Sequence, residues 1–283
     1  MPGVGLVLGG GGPVGIGWYA GLLLGLSDAG VELNRADVVL GTSAGAVAGA
    51  WLTSGLPIAD FAENLLHQDP NPPFLGADAR LLAQIYALIG EVGAPLEPED
   101  AREIGRLAIE APTPAVRYMA RHLPDTTWPK RLRAVVVNAQ DGRVRMITQS
   151  DGVPLALGVA ASCAAPGISA PISIQHQLYI DGGARSDTNA DLLAGLDLAR
   201  AIIVSPVPRT AKLVGDGLHR LLQEEMRRLH MSGVDPESIL PTQIEDDAFG
   251  ADLFNLTKVP GAIEAGRRRG EKEAGRLSQL IRT

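Results

Sequence analysis

Short apolar runs that end in glycine alternate with longer apolar segments over the first 55 residues. The runs Val4–Leu8 and Asp37–Gly41 are too short for helices and end at turn residues, so they predict two buried strands. The segments Ile16–Ala29 and Ser43–Gly55 have helical length and predict the helices that follow. Strand–turn–helix, repeated twice, favours a parallel sheet covered by helices.

Glycines four residues apart mark one face of each of these helices. They are Gly17, Gly21 and Gly25 in the first helix and Gly45 and Gly49 in the second. Because residues at this spacing share a helix face, we expect each bare face to let its helix lie very close to the sheet.

The pattern changes over residues 56–130, where prolines recur between short helical segments. One of these segments, Ala79–Gly90, has apolar residues at helical spacing. We interpret 56–130 as a helical insertion or cap. No repeat or low-complexity linker interrupts the chain, so we expect one domain over residues 1–283.

Further strands are expected after the insertion. Arg133–Ala139 and Arg143–Thr148 flank a Gln-Asp-Gly turn and predict a β-hairpin. Short apolar runs near residues 172, 178 and 201 predict more strands, and the charged segment 261–283 predicts a C-terminal helix.

Composition and charge exclude several classes of protein. Hydrophobic residues make up 46% of the chain and aromatic residues only 4%, so the core must consist of Ala, Val, Leu and Ile. The net charge of −7 argues against a nucleic-acid partner and against general attraction to anionic membranes.

Cys163 is the one cysteine, expected to be a small buried thiol. With no basic segment before the first apolar run and no apolar stretch of membrane-spanning length, we expect a cytoplasmic protein.

The sequence Gly41–Gly45, GTSAG, matches the G-x-S-x-G pattern of a nucleophile turn. It lies between a predicted strand and a predicted helix, where Ser43 would adopt strained backbone angles that expose its hydroxyl group. The following helix directs N–H groups toward the serine and favours developing negative charge. The alternative is a plain tight turn with Ser43 as a helix N-cap.

A serine nucleophile needs a base, and the five histidines show no clear strand-end position. Asp181 ends a short run, Tyr179–Gly183, directly before two glycines. A partly buried aspartate there could take the serine proton. An ordinary Asp-Gly turn and a triad using His219 or His230 remain alternatives.

The glycines before the first helix allow two interpretations. Gly10, Gly12 and Gly15 fit the G-x-G-x-x-G dinucleotide pattern, but the second strand ends in Leu40 and Gly41 without the acidic residue that would hold a ribose. The other interpretation is an oxyanion hole made of backbone N–H groups.

Three blocks in order, GGGGPVG, GTSAG and DGG, resemble the signature of patatin-like phospholipases, and ASCAAPGISAPI at 161–172 is similar to a further block. The resemblance covers residues 4–210. It implies an α/β fold of three layers, with a mostly parallel central sheet, helices on both faces and a helical insertion. It also implies hydrolysis of lipid acyl esters through an acyl-serine intermediate, without metal or cofactor and with transient contact with a membrane or micelle surface. The implied residues are the dyad Ser43 and Asp181, the oxyanion donors Gly10, Gly11 and Gly12, and the motif glycines Gly15, Gly41, Gly45, Gly182 and Gly183.

One position departs from the family pattern. Relatives usually carry Arg or Lys where this chain has Val14. The missing charge makes a neutral ester as suitable a substrate as a phospholipid, and it motivates the alternative of a non-catalytic relative.

Overall fold

The computed structural model describes residues 2–67, 81, 84, 85, 88, 93–111, 113, 122–207, 215–250 and 252–281. The strands in these residues are β1 Gly3–Leu8, β2 Val38–Thr42, β3 Leu132–Asn138, β4 Val144–Ile147, β5 Ile172–Ile174, β6 Gln177–Asp181, β7 Leu198–Val204 and β8 Asp235–Ile239. The helices are α1 Gly12–Asp28, α2 Ala44–Thr53, α3 Ile58–Leu66, α4 Pro98–Glu110, α5 Leu155–Ser162, α6 Gly215–Met231, α7 Gln243–Phe249 and α8 Val259–Ile281.

The strands form one mixed, mostly parallel sheet. In spatial order, β3, β2, β1, β7 and β8 are parallel neighbours. β4 and β6 pair antiparallel with β3, and β5 pairs antiparallel with β6. The parallel sheet and the β3–β4 hairpin confirm the predictions. The polar run DPESI of β8 gives no strand signal, but its Pro236 suits an outer strand of the sheet.

Helices cover both faces of the sheet. Leu6 and Leu8 of β1 pack into a core cluster that includes residues of α1, α2 and α8. Val7 points to the opposite face and packs in a cluster with Leu222 and Leu229 of α6. This alternation is the period of two expected of a strand buried on both sides. The predicted three-layer α/β fold is confirmed.

The glycine face of α1 packs against α8, so the prediction that it faces the sheet is wrong. A methyl group built on Gly21 would lie 1.9 Å from the Ile263 carbonyl oxygen, and one on Gly25 would lie 2.2 Å from that of Arg267. The two helix backbones therefore touch. The sequence shows where a close approach is possible but not which element makes it, because α8 is more than 200 residues away along the chain.

For α2 the same prediction is confirmed. A methyl group on Gly45 would lie 1.9 Å from the Leu8 carbonyl oxygen of β1, and one on Gly49 would lie 2.9 Å from the Leu132 side chain of β3. The N-terminal half of α2 therefore lies directly on the sheet, and this places the serine turn beside the end of β1.

The expected insertion contains α3 and α4. The predicted helix Ala79–Gly90 lies largely outside the described residues, although Leu81 and Ile85 are buried. Within the described ranges, no helix has both the length and the apolar character that crossing a membrane requires.

Candidate active site

Ser43 lies in a sharp turn between β2 and α2, as the G-x-S-x-G spacing predicts. Its φ of 54° and ψ of −118° are angles that residues with a side chain rarely adopt. A methyl group on Gly41 would lie 2.6 Å from the Gly45 carbonyl oxygen, so a side chain at position 41 would clash with the backbone of the turn. The turn sets Ser43 at the N-terminus of α2, where the helix dipole favours negative charge.

Two side chains at the end of α5 hold the backbone of Ser43. Its N–H donates to Ser162 Oγ at 3.0 Å, and that hydroxyl donates to the Val135 carbonyl oxygen of β3 at 2.7 Å. The Cys163 thiol donates to the Ser43 carbonyl oxygen at 3.3 Å. Cys163 is buried, as expected, and burial, followed by the charge of Asp181, raises the pKa of its thiol well above the ordinary value. Both side chains therefore support the turn.

Strand β3 brings Asp181 to the serine turn. Thr42 at the end of β2 is opposite Val135, and Asp181 at the end of β6 is opposite Val136. Because β4 pairs with both valines from one edge of β3, β2 and β6 must share the other edge. One of these strands is parallel to β3 and the other antiparallel, so they run toward each other and their carboxyl ends meet.

Asp181 is 4% exposed, and its carboxylate accepts a hydrogen bond from the Gly183 N–H at 2.7 Å. Burial raises the pKa of this carboxyl to about 7; hydrogen bonds from Gly183 and from the Ser43 side chain lower it, and the charge of Asp187 raises it. Its neighbour Gly182 fits closely on β3, since a methyl group there would lie 2.8 Å from the Val135 carbonyl oxygen. A carboxyl with a pKa near neutrality can both accept and return a proton.

The glycine loop between β1 and α1 passes beside the serine. A methyl group on Gly10 would lie 3.8 Å from Ser43 Cβ. The Gly10 N–H donates to the Asp187 carbonyl oxygen at 3.0 Å. Within the described part of the chain, the N–H groups of Gly11 and Gly12 have no acceptor. These two are therefore the donors that a ligand can use.

The start of α1 is packed closely on both sides. A methyl group on Gly15 would lie 2.9 Å from Pro206 Cγ, directly after β7. Val14 is fully buried, and its N–H donates to the Leu253 carbonyl oxygen at 3.1 Å. The position where relatives usually carry a cation therefore belongs to the apolar core in this chain.

Asn189, which the sequence analysis missed, links the two strand ends. It is fully buried with a left-handed φ of 52°. Its amide nitrogen donates to Thr42 Oγ1 at 3.2 Å and to the Gly182 carbonyl oxygen at 3.1 Å. Thr42 directly precedes the serine and Gly182 directly follows the aspartate, so one amide group connects both sides of the site.

A second layer of buried polar groups anchors the loop after Asp181 to α6. Glu225 is fully buried and accepts hydrogen bonds from Ser186 Oγ at 2.7 Å and from Thr188 Oγ1. Burial, followed by the charge of Asp191, raises the pKa of the Glu225 carboxyl. Arg185 forms an ion pair with Asp191 at 2.6 Å. The sequence signal for this layer is the polar run directly after DGG.

The two histidines considered as alternative bases, His219 and His230, lie on α6. His219 lines a slot together with Asp187 and Ser205, and His230 is exposed. The hydrogen bonds described above for Ser43 and Asp181 involve neither histidine. Over the residues that the structure describes, histidine, cysteine and carboxylate side chains form no cluster able to hold a metal ion.

Comparison with solved structures finds matches that extend over nearly the whole chain at low sequence identity. VipD from Legionella pneumophila is 13% identical with a TM-score of 0.50, and the match covers 99% of this chain and 67% of VipD. The type III effector protein ExoU is 16% identical with a TM-score of 0.43, covering 98% of this chain and 53% of ExoU. Human GIVD cytosolic phospholipase A2, solved with a methyl gamma-linolenyl fluorophosphonate inhibitor, is 13% identical with a TM-score of 0.48, covering 99% and 59%. This chain thus spans about half to two thirds of their lengths.

Sequence comparison identifies the family. No curated protein matches the chain. A family model described as patatin-like phospholipase matches residues 6–194, which include the glycine loop, the serine turn and Asp181. Since this match covers well over half of the sequence, the chain belongs to the patatin-like phospholipase family.

Proposed function

We propose that this chain is a serine acyl hydrolase that cleaves acyl esters of lipids, with Ser43 as nucleophile and Asp181 as general base. The observation that carries the proposal is the meeting of β2 and β6 on one edge of β3, which brings Ser43, directly after β2, close to Asp181 at the end of β6. The Ser43 side chain accordingly lowers the pKa of the Asp181 carboxyl group. Membership of the patatin-like phospholipase family supports the same chemistry.

In the first half of the proposed reaction, ionised Asp181 takes the proton of the Ser43 hydroxyl as Oγ attacks the acyl carbonyl carbon. The carbonyl oxygen becomes an oxyanion in the tetrahedral intermediate. As the intermediate collapses, the ester C–O bond breaks, protonated Asp181 gives its proton to the leaving alcohol, and an acyl-serine remains.

In the second half, water replaces the alcohol. Asp181 takes a proton from this water, whose oxygen attacks the acyl-serine carbonyl carbon. The second tetrahedral intermediate releases Ser43 Oγ, which recovers the proton from Asp181, and the fatty acid leaves. The products are one alcohol and one carboxylic acid, and the enzyme is regenerated.

The proposed oxyanion hole uses the glycine loop. Gly10, Gly11 and Gly12 form the loop, and the N–H groups of Gly11 and Gly12 are its available donors, while that of Gly10 fixes the loop to Asp187. Removal of one such donor typically costs a factor of about 100–1,000 in kcat. Backbone donors at the start of a helix stabilise the oxyanion without a cationic side chain.

The test is labelling with a fluorophosphonate probe, followed by intact-mass measurement. We expect one adduct on the wild type, none on Ser43→Ala, and labelling slowed by roughly 100-fold or more on Asp181→Asn because the serine has lost its base. Ser54→Ala is the matched control: Ser54 lies at the other end of α2 and donates to the Trp51 carbonyl oxygen.

Hydrolysis of 4-nitrophenyl pentanoate by the same variants completes the test. We expect activity from the wild type and Ser54→Ala and none above background from Ser43→Ala. A folded wild type that neither labels nor hydrolyses the ester would overturn the proposed function, as would an adduct that persists on Ser43→Ala.

A further inference from the structure

A second carboxyl group, Asp187, lies beside the glycine loop. A methyl group built on Gly10 would lie 2.7 Å from Asp187 Oδ1 and 3.8 Å from Ser43 Cβ. The carboxyl group and the proposed nucleophile therefore approach the same glycine. The proposed mechanism assigns Asp187 no role in proton transfer, which leaves its charge unexplained.

Asp187 is held in a fixed orientation. Ser205 Oγ donates to its Oδ2 at 2.8 Å, and its carbonyl oxygen accepts the Gly10 N–H at 3.0 Å. Whereas Asp181 is buried, Asp187 is only half-buried and lines a narrow slot whose walls include Leu218 and Leu222 of α6. Because Asp187 Oδ1 and Ser43 both approach Gly10, an ester bound at Ser43 would lie close to this carboxyl group.

Asp187 forms no ion pair with the described residues, and the one titratable neighbour in its slot is the imidazole of His219, whose unperturbed pKa of about 6.5 leaves it mostly neutral at about pH 8. Arg185, two residues before Asp187 in the same loop, is paired with Asp191. Val14 supplies no cation at the start of α1 and is fully buried. The other carboxyl group of the site, Asp181, adds to the negative potential. A negative charge on the substrate outside the reach of the loop N–H donors would therefore be repelled by these two carboxylates.

We propose that Asp187 is a specificity-determining residue that excludes esters with a negative charge near the scissile bond, so that the substrates are uncharged acyl esters. This inference rests on the proposed hydrolase function and defines its substrate class. The same negative charge opposes the pyrophosphate group of a dinucleotide, which is the other ligand that the glycine pattern suggests.

The test compares two pairs of esters at about pH 8, where free carboxyl groups are ionised. One pair is 4-nitrophenyl pentanoate and mono-4-nitrophenyl glutarate, equal in chain length but differing by a terminal carboxylate. The other is a 1-acylglycerol and its 3-phosphate, which places the charge on the alcohol side. We expect the wild type to prefer the neutral member of at least one pair by about tenfold or more in kcat/KM, and to lose preference as ionic strength rises.

Asp187→Asn keeps the shape of the side chain and removes its charge, so we expect the preference to fall several-fold, mainly through faster cleavage of the anionic ester. Asp197→Asn is the matched control, because Asp197 is an exposed carboxylate just before the opposite end of β7. Its preference should equal that of the wild type. Thermal unfolding of each variant checks that the protein is folded.

The outcomes separate the two proposals. A wild type that cleaves neutral and anionic esters equally well, or a folded Asp187→Asn variant with unchanged preference, would overturn the role of Asp187 and leave the hydrolase function standing. A wild type that cleaves none of the four esters and does not label at Ser43 would overturn the hydrolase function and this inference with it.

Discussion

At the scale of single residues, the site depends on buried polar groups whose partners come from distant parts of the chain. Asn189 is the clearest case, since its amide nitrogen bonds to groups next to Ser43 and next to Asp181. Without this amide group, the ends of β2 and β6 would lose a shared hydrogen-bond donor and would be held less firmly. Asn189 would therefore affect the reaction by positioning Ser43 and Asp181, because its amide nitrogen bonds to their neighbours and not to the proposed reacting groups.

We predict that Asn189→Ala lowers kcat by roughly 10- to 100-fold with little change in KM. Loss of the bridge between Thr42 and Gly182 would displace the base relative to the nucleophile but leave the acyl-binding surface in place. Steady-state kinetics with 4-nitrophenyl pentanoate measure the two parameters separately.

Asn138→Ala provides the control for this prediction. Asn138 is also buried and hydrogen-bonded, but its amide holds the turn after β3 and contacts Gln177. We expect a similar loss of stability and a near-normal kcat. Equal losses of kcat in the two variants would show that Asn189 has only a structural role.

The pH dependence of activity tests the assignment of Asp181. Its pKa is raised to about 7, first by burial, so kcat/KM should increase about tenfold per pH unit below that value and level off above it. Because the charge of Asp187 contributes to raising this pKa, Asp187→Asn should shift the profile to lower pH. A profile with its midpoint near pH 4 would contradict the assignment.

At the scale of elements, the packing of α1 on α8 supports the glycine loop from behind. Gly21 and Gly25 allow the helix backbones to touch, and Gly266 of α8 does the same from the other side, where a methyl group would lie 2.2 Å from the Trp18 carbonyl oxygen. Since α1 begins at Gly12, its position fixes the orientation of the proposed oxyanion donors. A change at this contact should therefore affect both stability and activity.

We predict that Gly21→Ala lowers the free energy of unfolding by about 3 kcal/mol, because its methyl group would lie 1.9 Å from a backbone oxygen that cannot move aside cheaply. Gly275→Ala in α8 is the control: nothing lies within 4 Å of the added methyl group, and alanine favours a helix by about 1 kcal/mol over glycine. Urea denaturation should show the two substitutions acting in opposite directions.

An element can be predicted from the sequence when the residues that determine its structure are close together along the chain. The serine turn was predictable because Gly41, Ser43 and Gly45 supply the whole geometric requirement within five residues. The DGG sequence predicts that Asp181 ends a strand before a glycine turn, but its approach to Ser43 depends on the pairing of β2 and β6 with β3. The partner of the α1 glycine face was not predictable, because the choice between sheet and α8 depends on a contact more than 200 residues away along the chain.

The buried polar layer around the site was also beyond local patterns. Asn189 and Glu225 are polar residues that the sequence alone would place at the surface, and their burial is explained only by the partners that the fold brings to them. Asp187 also gives no local signal in the sequence, since the role proposed for it depends on the approach of its carboxyl group to Gly10. Strand β8 was missed because a short polar strand lacks the alternation that identifies strands.

At the scale of the whole molecule, three carboxyl groups with raised pKa values couple folding to pH. Burial raises the pKa of Asp181 to about 7, that of Asp187 to about 6, and that of Glu225 above its ordinary value. Between the ordinary carboxyl pKa near 4 and these raised values, the folded protein binds more protons than the unfolded chain. The free energy of unfolding therefore decreases as the pH rises through this range.

We predict that the melting temperature of the wild type falls as the pH is raised from about 5 to about 8. Glu225→Gln removes one of the ionisable groups while keeping most of its shape, so its melting temperature should fall less over the same range. Glu264→Gln is the control, because Glu264 is an exposed residue of α8 paired with Arg268, and it should leave the slope unchanged. A wild-type melting temperature that rises between pH 5 and pH 8 would show that these three carboxyl groups do not dominate the pH dependence of folding. This decrease of stability with rising pH bears on function, because the proposed reaction requires ionised Asp181. The enzyme would therefore work at a pH at which the free energy of unfolding is below its maximum.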